Sequence, residues 1–138
     1  MSDMTGGCLC GAVRFSASGV ETSYHACHCG MCRRWSGSPL MAASVDGVEF
    51  EGEKHIVRYG SSEWAERGFC GRCGSNLFYY LKPADRYVVS VGAFDDPQAF
   101  HLVGEIFVDH QPPGYRFAGK LSRLTEAEFL SQFSSDQL

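Results

Sequence analysis

The sequence predicts a mainly β fold, an antiparallel domain closed by one short C-terminal helix. Short apolar runs follow one another at close intervals with Gly, Asp or Pro between them. The clearest of them alternates apolar and polar residues with the period of a half-buried strand. The 16 glycines and five prolines lie between the runs, which favours strands and turns over long helices.

Taken in order, "GAVRFSASG" sets Val13, Phe15 and Ala17 on one side and Arg14, Ser16 and Ser18 on the other. A second strand runs through "ETSYHA" into a cysteine cluster, and "CRRWSG" reads as a helical turn ending at Gly37. Strands are then expected in "LMAASV", "GVEFE", "HIVRYG", "WAERGFC", "NLFYYLK", "RYVVSV" and "EIFV". Near the end, "TEAEFLSQF" carries a capping box. Thr125 caps, Glu128 reaches back, and Phe129, Leu130 and Phe133 share a face that can pack on the sheet.

No repeat or linker divides the chain, so residues 1–138 are expected to form one domain. At this length about two-thirds of the unfolded surface can be buried, so size alone does not call for metals or disulfides. No run is apolar enough to span a bilayer, and "MSDMTGG" lacks the basic start and apolar centre of a signal peptide. A cytoplasmic location without membrane attachment is expected. In that reducing compartment seven cysteines, an odd number, fit disulfides poorly. The formal charge of −4 would fall to about −7 with all seven as thiolates around two zinc ions. So acidic a chain lacks the footprint of a nucleic-acid binder.

The cysteines divide into four and three. "GCLCG" holds Cys8 and Cys10, and "FCGRCG" holds Cys70 and Cys73, each pair followed by a glycine that allows a tight turn. Two chelating pairs make one Cys₄ site suited to Zn²⁺, which would clamp positions about sixty residues apart and contribute to folding. The competing reading is four buried free thiols acting as small apolar residues.

Cys27, Cys29 and Cys32 remain. Strand alternation puts residues 27 and 29 on one face, and a turn through Gly30 could bring Cys32 to them. Three protein ligands with one position open is the pattern of a catalytic zinc site. Three thiolates leave such a site at a formal −1, a weak Lewis acid that suits holding a thiol as its thiolate. The chemistry expected is therefore the making or breaking of a bond to sulfur. His25 shares parity with Cys27 and could close the site as a fourth ligand. His28 should point away, and a metal-free redox thiol cluster is a further alternative.

"GGCLCGAVRF", "CHCGMCRRWSGS" and "FCGRCGSNLF" resemble the three cysteine motifs of the glutathione-dependent formaldehyde-activating enzyme family, which includes centromere-protein-V-like proteins. The likeness spans residues 6–78 and all seven cysteines. It implies a zinc-stapled, antiparallel β-tent fold. It also implies a structural zinc on Cys8, Cys10, Cys70 and Cys73 and a catalytic-type zinc on Cys27, Cys29 and Cys32. The activity implied is carbon–sulfur lyase-type chemistry, the addition of glutathione to formaldehyde to give S-hydroxymethylglutathione. Family members often carry a tryptophan after the proline of the late "FVD…P" stretch. Here "PPGYRF" puts Gly114 before Tyr115, so the pocket wall should differ.

Arg33 and Arg34 could pair with glutathione carboxylates, or could offset the negative centre or face solvent. Trp35 reads as a core or rim aromatic, and the aromatics of "GFCGRCGSNLFYY" as packing behind the four-cysteine site. His55, His101 and His110 stand without partners at ligand spacing. The alternative function is a non-catalytic zinc module that presents its β surface to a protein. A methionine-R-sulfoxide reductase would need a late nucleophile, and no cysteine follows Cys73.

Overall fold

A computed structural model describes residues 3–132, so the expected place of Phe133 on the last helix lies outside the described residues. Eleven strands among these residues form two sheets. The smaller is built from β1 (Met4–Gly7), β2 (Arg14–Ser18) and β5 (Gly47–Glu51), with β2 in the middle.

The larger contains β3 (Ser23–Cys27), β4 (Leu40–Val45), β6 (Ile56–Gly60), β7 (Ala65–Cys70), β8 (Asn76–Leu81), β9 (Arg86–Ser90), β10 (His101–Ile106) and β11 (Ser122–Leu124). Its order is β11-β10-β3-β4-β9-β8-β7-β6. The fold is mainly β and antiparallel, as expected, with two parallel pairings at one edge, where β10 lies between β3 and β11.

The core fills the space bounded by Val13 just before β2, Phe15 of β2, Val45 of β4, Leu77 and Phe78 of β8, and Val89 of β9. The alternation of "GAVRFSASG" is the reason: Val13, Phe15 and Ala17 are buried while Arg14 and Ser16 remain accessible. Gly68 of β7 lies against the ring of Phe78, where a Cβ would collide with it, and the β7–β8 register shifts at this point.

Three expectations need correction. The strand entering the cysteine cluster stops at Cys27, and α1 (Gly30–Ser36) follows, longer than one turn. It starts at Gly30 because Cys29 caps it, Sγ accepting from the Cys32 N–H at 3.4 Å. It ends on Gly37 at φ 82°, whose N–H reaches the Arg33 carbonyl. The run "EIFV" does not continue as strand, since Phe107 adopts a left-handed φ of 58°. Lastly, β1 and β11 escaped notice because "MTGG" and "SRL" carry no apolar alternation.

The last helix, α2 (Glu126–Leu130), has the expected capping box, Glu128 N–H to Thr125 Oγ1 at 3.2 Å and Thr125 N–H to Glu128 Oε1 at 2.8 Å. Its Phe129 packs on Phe107, ring centroids 5.8 Å apart. Among the described residues no helix is long and apolar enough to cross a membrane.

Candidate metal centres

The sequence pairs Cys8–Cys10 and Cys70–Cys73 come together in space. Cys8 and Cys10 sit in the turn after β1, while Cys70 ends β7 and Cys73 lies in the β7–β8 turn, so the cluster ties the small sheet to the large one. Gly11 and Gly74, at φ 83° and 79°, make the tight turns after each pair. Backbone N–H groups face the sulfurs, Val13 to Cys8 Sγ at 3.3 Å and Arg72 to Cys70 Sγ at 3.4 Å. Hydrogen bonding to Ser75 holds the Cys73 thiol down at about 5.

Sulfurs at the corners of a tetrahedron about 2.3 Å from a zinc ion lie about 3.8 Å apart. Here Cys8 to Cys10 is 3.7 Å and Cys10 to Cys70 is 3.8 Å, so the donor set fits zinc in chemistry and in spacing.

The second cluster is Cys27 at the end of β3, Cys29 at the cap of α1 and Cys32 in its first turn. Strand parity therefore does not unite them. A strand end, a cap and a helical turn do, and the three sulfurs lie within 4.8 Å of one another. Such a set could hold a soft metal ion on three sides.

His25 is exposed, lies against Gly104 of β10 and is not part of the cluster, so it does not supply a fourth donor. The thiols share protons unequally. Hydrogen bonds from Cys27, then Cys32, push the Cys29 thiol well below its usual range. The Cys27 thiol, donating to Cys29 and Cys32 and itself half-buried, is pushed far up.

His28 points away from the cysteines, as expected, but it is no ordinary core residue. It has no exposed surface. Its Nε2 lies 2.8 Å from Glu105 Oε1 and its Nδ1 2.6 Å from the Tyr115 hydroxyl. Arg123 donates to the other Glu105 oxygen at 2.7 Å and to Gln111 at 2.8 Å, and Gln111 donates to the Tyr115 carbonyl at 2.7 Å. The ring nitrogen facing a carboxylate donates, so in neutral His28 the Nδ1 accepts from Tyr115. Burial, partly offset by Arg33, pushes the Tyr115 hydroxyl up, which keeps it protonated.

Arg33 donates through Nε to the His28 carbonyl at 2.9 Å, and Arg34 is exposed. Trp35 belongs to a stack: the buried Arg67 guanidinium sits between the rings of Trp35 and Tyr79 and faces Cys32.

None of Glu105, Arg67 and Arg123 was singled out from the sequence, and Tyr115 was noted only as part of the expected pocket wall, not as a partner of His28. Arg67 left one trace, an arginine at the same strand parity as Ala65, which is also buried. His110, expected to be alone, donates to Glu126 Oε1 at 2.8 Å with Asp109 nearby, an exposed cluster that ties α2 to the loop after β10. A cleft of about 470 Å³ lies between the four-cysteine turn and the far end of α1, lined by residues including Leu9, Ser36, Leu40, Met41 and Asn76.

Residues 3–110 match the family model described as glutathione-dependent formaldehyde-activating enzyme. The chain is 33% identical over 132 residues to an uncharacterised lyase of Schizosaccharomyces pombe, covering 94% of this chain and 96% of that one. It is 32% identical over 87 residues to a Halomonas elongata protein named provisionally as a glutathione-dependent formaldehyde-activating enzyme, covering 56% of this chain and 55% of the other. Its fold is similar to that of a Rhodobacter sphaeroides protein of known crystal structure, with a TM-score of 0.59 and 24% identity over 69% of this chain and 93% of that one.

Proposed function

Since the chain belongs to the glutathione-dependent formaldehyde-activating enzyme family, we propose that it is a carbon–sulfur lyase-type enzyme joining a small thiol, glutathione first, to formaldehyde or a related aldehyde. The product is an S-hydroxymethyl thiol adduct. The observation that carries this is the separation of the sulfurs into a four-cysteine cluster that joins two sheets and a three-cysteine cluster next to a Tyr–His–Glu chain whose His28 and Glu105 are buried.

Cys8, Cys10, Cys70 and Cys73 would hold a structural zinc whose binding free energy adds to folding. Cys27, Cys29 and Cys32 would hold a second zinc, which when bound supplies a place where a thiol is kept as its thiolate.

The chain's own groups handle the proton. Tyr115 passes its proton to His28 Nδ1 as its oxygen takes the proton of the incoming thiol, and Glu105 steadies the imidazolium through Nε2. As sulfur attacks the carbonyl carbon, the C=O π pair moves to oxygen, and the same proton returns through Tyr115 to that oxygen. One S–H and one C=O become one C–S and one O–H.

The test is metal analysis of the purified protein together with thiol-dependent consumption of formaldehyde. Two zinc ions per chain with consumption supports this function. One zinc ion without consumption would leave a zinc module that binds a protein partner.

A further inference from the structure

Arg67 is a buried charge that the proposed proton path does not use. It lies on β7 at 3% exposure, its guanidinium carbon 5.2 Å from the Trp35 ring centroid and 5.1 Å from that of Tyr79. Nη1 and Nη2 lie 3.8 and 3.7 Å from Cys32 Sγ, and Nε–H has no hydrogen-bond partner. Among the described residues no carboxylate forms an ion pair with it. Guanidinium groups are rarely buried without an anion, because water stabilises the charge so strongly. Among the described residues the group placed to answer that charge is the sulfur of Cys32 in the three-cysteine cluster, which would be a thiolate once a metal ion is bound. The two rings contribute cation–π attraction and fix the fork toward Cys32.

We infer that Arg67 is the fixed counter-charge of the three-cysteine centre and selects an anionic sulfur ligand for it over a neutral one. The inference rests on the proposed function, since it requires that the centre hold a metal ion and receive a thiol. Three thiolates and Zn²⁺ carry a formal −1, which Arg67 brings to zero. An incoming thiolate adds another negative charge in a site shielded from water, where a fixed positive neighbour counts for more than in bulk solvent. Water adds no charge and gains nothing from Arg67. The residue therefore discriminates between thiolate and water. Donation from Arg67 to Cys32 Sγ would also draw electron density from that sulfur when it serves as a ligand, which would favour a further donor.

The experiment is calorimetric titration of the zinc-loaded full chain with glutathione and with S-methylglutathione, which cannot form a thiolate. It compares wild type, Arg67→Lys, and two neutral variants, Arg67→Met and Arg67→Gln, so that one misfolded variant does not decide the result. Zinc content and thermal melting establish which variants remain folded with both metal ions.

The expected result is glutathione binding weakened about tenfold or more in a folded neutral variant. Arg67→Lys keeps the charge but loses the stacked fork, so its glutathione binding should fall between wild type and the neutral variants. S-methylglutathione binding should be unchanged throughout. In turnover the thiol KM should rise more than kcat falls. Equal glutathione binding by wild type and a fully zinc-loaded neutral variant overturns the inference and leaves the proposed function standing. Failure of zinc-loaded wild type to bind the thiol overturns the proposed function itself.

Discussion

His28 sits between two candidate metal-binding cysteines, yet its Nε2 turns inward to Glu105, 2.8 Å away and closed to solvent. A buried histidine–carboxylate contact fixes which nitrogen carries the proton, and so fixes what the other nitrogen can do for Tyr115. Glu105→Gln keeps the shape but removes the charge that Arg123 and His28 both face. It should cost about 3–5 kcal/mol of stability, the usual result of removing one partner from a buried ionic network. Denaturant unfolding of the zinc-loaded protein measures this, and a cost under about 1 kcal/mol would show that the network is not the support described here.

Tyr115→Phe separates proton handling from folding. Loss of the hydroxyl leaves His28 Nδ1 without its partner, at a cost of about 1–3 kcal/mol, with both zinc ions retained. Turnover with thiol and aldehyde should fall about 10²-fold or more. A variant that keeps wild-type kcat would remove Tyr115 from the proton path.

Two serine substitutions should behave differently. Cys70→Ser breaks the cluster that joins the sheets, so the melting transition should shift down sharply or be lost, because metal binding there is folding free energy. Cys27→Ser lies at a strand end outside that cluster. It should leave the protein folded with zinc reduced from two ions per chain to about one, and without turnover. Equal unfolding by both would mean that both clusters are structural.

Zinc at the three-cysteine cluster should be lost as pH falls, with a slope near two protons. Hydrogen bonds from Cys27 and then Cys32 hold the Cys29 thiol down, so Cys29 is already a thiolate and releases nothing on binding. Cys27 is pushed up by its donation to Cys29 and Cys32 and by burial. Cys32 is also pushed up, the lowering bond from Cys27 being outweighed by its interaction with Cys29 and by burial. Both thiols must therefore lose a proton when the ion binds. The dissociation constant should rise about 100-fold per pH unit lost below neutrality. Chelator competition between pH 6.5 and 8 reads the slope, and a value near three would contradict the depressed Cys29.

Much of the fold was legible because its signals are local. The burial of Val13, Phe15 and Ala17 follows from their alternation along one strand, and the capping box at Thr125 and Glu128 spans four residues. The chelating pairs are as local, each closed by a glycine turn. Where local signals ran out, the sequence misled. Cys27 and Cys29 share strand parity, but the cap formed by the Cys29 sulfur competes with strand continuation and wins.

The sequence by itself determined the strand-rich class, the division of cysteines into four and three, and the acidic charge, because each is carried by residue type and short spacing. Only the tertiary structure decided what surrounds the three cysteines. The parallel pairing of β3 with β10 sets Ala26 beside Glu105 and Cys27 beside Ile106, which carries a carboxylate 77 residues away to His28. The packing of α1 against the sheet brings Cys32 to Arg67 across 35 residues. A buried charge is tolerated only where a distant partner meets it, and that meeting is a property of the assembled sheet, invisible in any one segment.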